Sequence, residues 1–322
     1  MKTSQPRLTL LFTALFCFCA PFSGSASEPR AAFWVDLLSG QPVGDEKDLW
    51  EDLATVDVVF IGETHRLERH HALQREIVSH LLASGRPVLL GLEQIEARNQ
   101  PQLDLLNRGE IDFATFAERI HWKEQWQNFE DYREVILTAL RGGGRVVGLN
   151  APREIIRQVG KSGLDSLSAE QRSALPAVLH TDDPTYEKLM NQLLSVHSMF
   201  DPKFLRHVFE AQVSRDDTMA STLVDALAAW KPANDKPPLA VVITGSGHVQ
   251  FGLGVPDRVG WKNSKILARI LLLSESGDTV LTNAEKAMSR EIQIRHGDLS
   301  FIRRSIADYL HVKEWNSGPS PR

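Results

Sequence analysis

Apolar residues gather in five short runs that do not alternate with polar ones. They are VDVVFI (Val56 to Ile61), PVLLGL (Pro87 to Leu92), RVVGL (Arg145 to Leu149), LAVVIT (Leu239 to Thr244) and ILARILLL (Ile266 to Leu273). Short runs of Val, Ile and Leu suit strands buried on both faces of a parallel sheet. Helical spacing of apolar positions lies between them, over Leu67 to Leu82, Tyr132 to Leu140 and Phe204 to Trp230. Strand alternating with helix predicts an α/β fold, a parallel sheet flanked by helices.

Two stretches break this repeat. Asn99 to Asp131 holds several helix-like pieces with Trp122 and Trp126, and Leu164 to Phe200 is helical and polar, interrupted by Pro176 and Pro184. The expected organisation is an α/β domain of residues 28–163 and 201–322 with a smaller helical domain inserted at 164–200. Residues 99–131 are a candidate second helical part. KPANDKPP (Lys231 to Pro238) reads as a turn-rich linker into the fourth run.

The first residues have a different character. Lys2 and Arg7 precede an apolar stretch, LTLLFTALFCFCA (Leu8 to Ala20), too short to span a bilayer as a helix. Small residues follow in SGSAS (Ser23 to Ser27). Residues 1–27 therefore read as a secretory signal peptide, and the protein is expected to be exported: periplasmic, or associated with the outer membrane. Both cysteines, Cys17 and Cys19, fall within that segment, so the mature chain has no thiol for a disulfide, a nucleophile or a thiolate metal site. Phe16 and Phe18 stand where a lipid-attachment signal needs a small residue, which argues against lipidation at either cysteine. Loss of Lys2 and Arg7 moves the formal charge from −5 to −7, a poor balance for binding nucleic acid.

Each of the first four runs ends in polar residues: Gly62-Glu63-Thr64-His65, Glu93-Gln94, Asn150, and Gly245-Ser246-Gly247-His248. In a parallel sheet those ends share one edge, where ligands bind. Two histidines with one or two carboxylates can ligate a transition metal, with His65, Glu93 and His248 as the donors. The same set can do acid–base work, with Glu63 joining His65, Glu93 and His248 as catalytic groups. Singly, each has a plainer reading. Thr64 can cap a helix, Asn150 can make a turn, and Glu93 can pair with an arginine. Four polar strand ends in succession favour a site.

At these residues the chain resembles the ChaN-type haem-binding uptake family, in the superfamily of the Tiki proteases and erythromycin esterases. The matching elements are FIGETH, HHALQ, GLEQ, VVGLNAPREIIRQV, EAQVSRDDTMA and GSGHVQFGLGVPDRV, in order from about Val56 to Val259. The resemblance implies a parallel sheet with a smaller helical domain, and haem binding in bacterial iron uptake at the cell envelope. It implies a haem pocket completed by a homodimer, with tyrosine on the iron. An outer-membrane haem receptor or a periplasmic haem carrier would be the partner. His65, Glu93 and His248 match the superfamily's metal-binding positions, and Asn150 its Asn-Ala-Pro turn. The alternative the resemblance leaves open is a hydrolase using a divalent transition metal.

The mature chain has three tyrosines, Tyr132, Tyr186 and Tyr309. A phenolate suits ferric haem, and Tyr186 stands ahead of Tyr132 as the expected ligand. Tyr309, outside the motifs, is expected to pack structurally. His197 lies eleven residues after Tyr186, on the same helix face but about 16 Å along the axis, so one iron cannot take both from a straight helix. His71 and His180 are further candidates, and Arg153, Arg206 and Arg258 are candidates for the propionates. Intact-mass measurement of the envelope fraction is expected to show a chain starting after Ala26 or Ser27; a lipid-modified start at Cys17 or Cys19 would overturn the export reading.

Overall fold

An unbroken apolar run must be covered on both faces, and strands β3 (Val58–Glu63), β4 (Val88–Glu96) and β6 (Leu239–Gly245) are buried at every position. β5 (Arg145–Asn150) and β7 (Ala268–Leu273) run parallel to them. The computed structural model describes residues 32–194, 201–232, 236–274, 295 and 297–313. Its sheet has eight strands in the order β2-β1-β8-β7-β3-β6-β4-β5. The expected parallel core is present. It is extended at one side by β8 (Tyr309–Lys313), parallel to β7, and by β1 (Ala32–Asp36) and β2 (Gln41–Pro42), which pair antiparallel. The sheet is therefore mixed. These edge strands are short and only partly buried, so they lack the apolar run that marks the central ones.

The alternation of side chains along each strand divides the core in two. On one face Val59, Ile61, Leu90, Leu92, Val241 and Ile243 meet helices α1 (Glu46–Thr55), α2 (Glu68–Ala83), α3 (Gln100–Asn107), α4 (Phe113–Arg119), α5 (Trp122–Gln125) and α6 (Arg133–Arg141). Phe113, Phe116 and Trp122, from the stretch that broke the strand–helix repeat, belong to this layer with Tyr132. On the other face Val58, Phe60, Leu149 and Val242 meet Met219, Ala220 and Leu223 of α10 (Pro202–Ala229) and Val255 and Val259 of α11 (Val255–Lys262). Each such side chain, fully buried, contributes about 1.5–3 kcal/mol. Beyond α10 lie α7 (Arg153–Ser162) and α9 (Pro184–Leu194), whose apolar residues pack against Ala211, Phe209 and Val213, and α8 (Ala169–Ser173), which buries no residue.

Register decides which strand ends are neighbours. Gly62 pairs with Thr244 and Glu63 with Gly245, while Leu92 pairs with Ile243. Glu93 therefore enters the row of Thr244. A register shift between Leu92 and Glu96 brings Glu96 opposite Asn150. Thr64 does not cap α2. The helix begins at Glu68 with no side-chain cap, and the Thr64 amide donates instead to His70 Nδ1 (3.0 Å).

Gly62 carries a close approach. A methyl group there would lie 2.6 Å from Leu272 Cδ2, 2.8 Å from Val249 Cγ2 and 3.1 Å from the Ser246 Cα. Gly62→Ala is expected to destabilise the fold by about 1–3 kcal/mol in denaturant titration. Gly44→Ala, with nothing within 4 Å, is the near-neutral control. Equal midpoints for the two variants would overturn this packing account.

Candidate functional site

Glu63 closes strand β3 and is 2% exposed. A buried carboxylate needs several donors to hold its charge. Four side chains supply them: Tyr132 OH (2.5 Å), His65 Nδ1 (2.8 Å) and Gln94 Nε2 (2.9 Å) at Oε1, and Gln74 Nε2 (2.5 Å) at Oε2. Because a carboxylate accepts, His65 Nδ1 carries the proton and Nε2 is the free nitrogen of the neutral ring. Burial alone would lower the His65 pKa, but the Glu63 hydrogen bond and the Glu93 charge raise it above its ordinary value.

Glu93 holds the centre. Its Oε2 accepts from Thr244 Oγ1 (2.6 Å) and the Gly245 amide (2.8 Å). Its Oε1 faces His248 Nε2 at 3.4 Å and Arg215 Nη1 at 3.8 Å. His248 Nδ1 donates to Asp216 Oδ1 (2.5 Å), and Asp216 Oδ2 accepts from Tyr186 OH (2.9 Å). Gln212 Nε2 in turn donates to the Tyr186 hydroxyl (3.1 Å). Burial would depress the His248 pKa, but the charges of Glu93 and Asp216 overcome it and raise it to about 10. Burial likewise opposes ionisation of Glu93, and the pairing with His248 holds its carboxyl well below the usual range. His248 lies between two carboxylates whose charges favour its protonated form. Two carboxylate-anchored histidines thus flank Glu93.

Gly245 makes this convergence possible. A methyl group on it would sit 2.9 Å from His65 Nε2 and 3.7 Å from Glu93 Oε2. Only a residue without a side chain lets the imidazole lie over the end of β6.

Two cavities open beside the cluster. One, of about 200 Å³, has Glu93, Gln94, Asn150 and Arg215 among its walls; the other, of about 650 Å³, has His65, Arg66, Asn128 and Asp131. Gln125, Trp126 and Arg153 line both, so they meet as one depression. Gln94 Oε1 and Trp126 Nε1 are buried there without a hydrogen-bond partner. Both atoms are enclosed by protein, so they are not offered to the open space of the cavity.

Residues 49–259 match the family model for haem-binding uptake proteins of the Tiki superfamily, ChaN. The chain belongs to this family. The solved ChaN structure of Campylobacter jejuni, described with cofacial haem binding, superposes with a TM-score of 0.63 at 17% identity, covering 88% of this chain and 97% of that one. At that identity the likeness shows the fold. Protein RETICULATA-RELATED 5, chloroplastic, of Arabidopsis thaliana is 26% identical over 257 residues, 73% of this chain. The match spans only 34% of that relative's own length. An erythromycin esterase in its open conformation overlaps with a TM-score of 0.42 at 12% identity over 74% of this chain and 76% of that one, too loose a likeness to carry an argument.

In this family member the residues expected at the strand ends come together. His65, Glu93 and His248 form one cluster, with Glu93 Oε1 facing His248 Nε2 at 3.4 Å. Among the described residues no three His, Cys, Asp or Glu side chains are disposed to hold a metal ion. Asn150 serves structure, donating to the Glu93 carbonyl (3.0 Å) and accepting from the Ala151 amide (2.9 Å). The tyrosines depart from expectation. Tyr132 and Tyr186 are 0% and 1% exposed, line neither cavity, and donate their hydroxyls to Glu63 and Asp216. Burial, then the neighbouring carboxylate charge, pushes both phenols up, away from the phenolate that ferric iron prefers. Tyr309 donates to Asp52 Oδ2 (3.0 Å) from the edge strand β8, a structural role as expected. His197 lies outside the described residues.

His71 is buried, with Nε2 against the His65 carbonyl (3.1 Å), and His180 Nδ1 donates to Asp217 Oδ1 (2.7 Å). Of the three propionate candidates, only Arg153 lines the depression; Arg206 pairs with Glu187 and Glu210, and Arg258 is fully buried near Asp217. Arg66, Arg215 and Asp216 went unassigned in the sequence. The sign was there for two of them: EAQVSRDDTMA puts three consecutive charges mid-helix, and Asp216 and Asp217 are fully buried.

The raised His248 pKa sets a pH dependence. The folded chain keeps a proton that the unfolded chain releases near pH 6.5, so this stabilisation is complete below about pH 6.5 and is lost as pH rises through about 10. Thermal unfolding followed by circular dichroism is expected to show the midpoint falling by several degrees between pH 7 and pH 10. His248→Asn should be less stable at pH 7 and show a flatter slope. Parallel curves for the two proteins would rule out His248 as the source.

Proposed function

We propose that this chain binds haem in the depression at the carboxyl edge of the sheet. We further propose that it acts, once exported and cleaved near Ala26 or Ser27, in haem or iron uptake at a bacterial envelope. The family match supports haem, and the observation that carries the placement is the wall chemistry. Trp126 offers an aromatic face, and Arg66, Arg153 and Arg215 offer guanidinium groups for propionates. The depression's larger part, about 650 Å³, is of the size that ligand sites commonly have. Haem is cargo in this reading, received from an outer-membrane receptor or passed to a periplasmic carrier, and a homodimer would cover the open side.

A second reading rests on the Glu63–His65 dyad beside the depression. Glu63 orients His65, whose Nε2 can accept a proton from water, while the imidazolium of His248 and Arg215 stabilise negative charge nearby. That is the geometry of ester or amide hydrolysis without a metal.

Titration with haemin decides between them. A saturable shift of the Soret band is expected, with quenching of tryptophan fluorescence. Trp126→Ala is expected to weaken haemin by about tenfold, the loss of about 1.4 kcal/mol of stacking. No saturable haemin spectrum, together with His65-dependent turnover of a chromogenic ester, would replace the haem reading by the hydrolytic one.

A further inference from the structure

Resting on the haem-binding reading, we infer that Arg153 is a latch: it ties residues 123–127 across the depression, and a ligand carboxylate that takes its guanidinium releases them and joins the two cavities. The segment runs between two anchors. Before it, Trp122 is fully buried in the core and donates Nε1 to the Gln94 carbonyl (2.8 Å). After it, Asn128 Nδ2 donates to the His65 carbonyl. Between the anchors Lys123, Glu124 and Gln127 are exposed, while Gln125 and Trp126 are half-buried. Trp126 stands edge-on to His65, with ring centres 4.9 Å apart. Gln125, Trp126 and Arg153 line both cavities, so they form the wall between a space of about 200 Å³ and one of about 650 Å³. Arg153, in the first turn of α7, supplies the polar tie from outside the segment: its Nη1 donates to the Glu124 and Gln125 carbonyls at 3.2 and 3.3 Å. Among the described residues, every other hydrogen bond of 123–127 stays within 120–129.

This tie suits exchange. Both bonds are long, and both acceptors are neutral carbonyls. A carboxylate offers the guanidinium an opposite charge and two parallel hydrogen bonds, a stronger match for its planar fork. Arg153 is exposed, so an incoming carboxylate reaches it. Its backbone stays fixed, because the Arg153 amide donates to Glu96 Oε1 (2.9 Å), and the side chain can turn without moving α7. Release has a second gain. With the tie in place, Trp126 Nε1 is buried without a hydrogen-bond partner. Lifting the indole returns that donor to water and removes the cost of an unmade bond. A ligand without a carboxylate makes no such exchange, so the segment favours entry of carboxylate-bearing ligands.

Two measurements on the mature protein test the latch, each with wild type and Arg153→Gln. The first is amide hydrogen exchange read by mass spectrometry. The peptide holding residues 123–127 is expected to exchange about tenfold faster in the variant, while peptides of α10 exchange alike in both and show that the fold is intact. The second is stopped-flow mixing with haemin and with haemin dimethyl ester. In wild type the ester, which has no carboxylate, is expected to enter about tenfold more slowly than haemin. In the variant the ester is expected to enter at least about threefold faster than in wild type. A guanidinium that served only as a propionate donor would leave the entry of the ester unchanged. Equal exchange of 123–127 in the two proteins overturns the inference. Equal entry of the ester into both proteins overturns it as well, and saturable binding of haemin then leaves the haem reading standing. If neither probe binds either protein, the haem reading itself fails and the inference falls with it.

Discussion

A carboxylate buried at the end of a central strand is stable only if its neighbours are arranged to hold its charge. Glu63 and Glu93 both stand in that position, each 2% exposed. Their demands reach across the molecule. Glu63 draws donors from α2, from β4 and from Tyr132, while Glu93 binds the end of β6 through Thr244 and Gly245. The elements that meet at the carboxyl edge are tied together through these two groups. The apolar layers below give the energy of folding; the carboxylates decide how the upper edge is assembled.

The same electrostatics shape what the edge can do. His248 lies between Glu93 and Asp216, whose charges favour its protonated form. His65 is fixed by Glu63 in one orientation. Around this charged cluster, guanidinium groups and the indole of Trp126 line the depression. An anionic, flat ligand answers those groups, and haem is one. The two readings of function differ in whether the central histidines only hold the edge in shape or also move a proton.

Much of this was legible in the chain. Non-alternating runs of Val, Ile and Leu announced the parallel core, and the polar residues after them announced one edge. Less legible were the edge strands. Tyr309–Lys313 and Ala32–Asp36 are half-buried and short, so their pattern is weak. Thr64 looked like a helix cap because local chemistry allows it, but α2 starts at Glu68 without a side-chain cap, and the Thr64 amide donates to the ring of His70. The tyrosines were ambiguous for a similar reason: a phenol in sequence reads equally as a ligand or as a buried donor.

The sequence by itself determined the five central strands, and, through the strand–helix alternation that implies a parallel core, the meeting of Glu63, His65, Glu93 and His248, because burial on two faces is a local property that the apolar runs record. Tertiary structure alone decided the partners. Tyr132 reaches Glu63 across 69 residues, Thr244 reaches Glu93 across 151, and Asp216 reaches His248 across 32. Which donor a buried carboxylate finds depends on strand order, register and helix packing at once. Such contacts leave no spacing in the chain, and the protonation of each histidine follows from them.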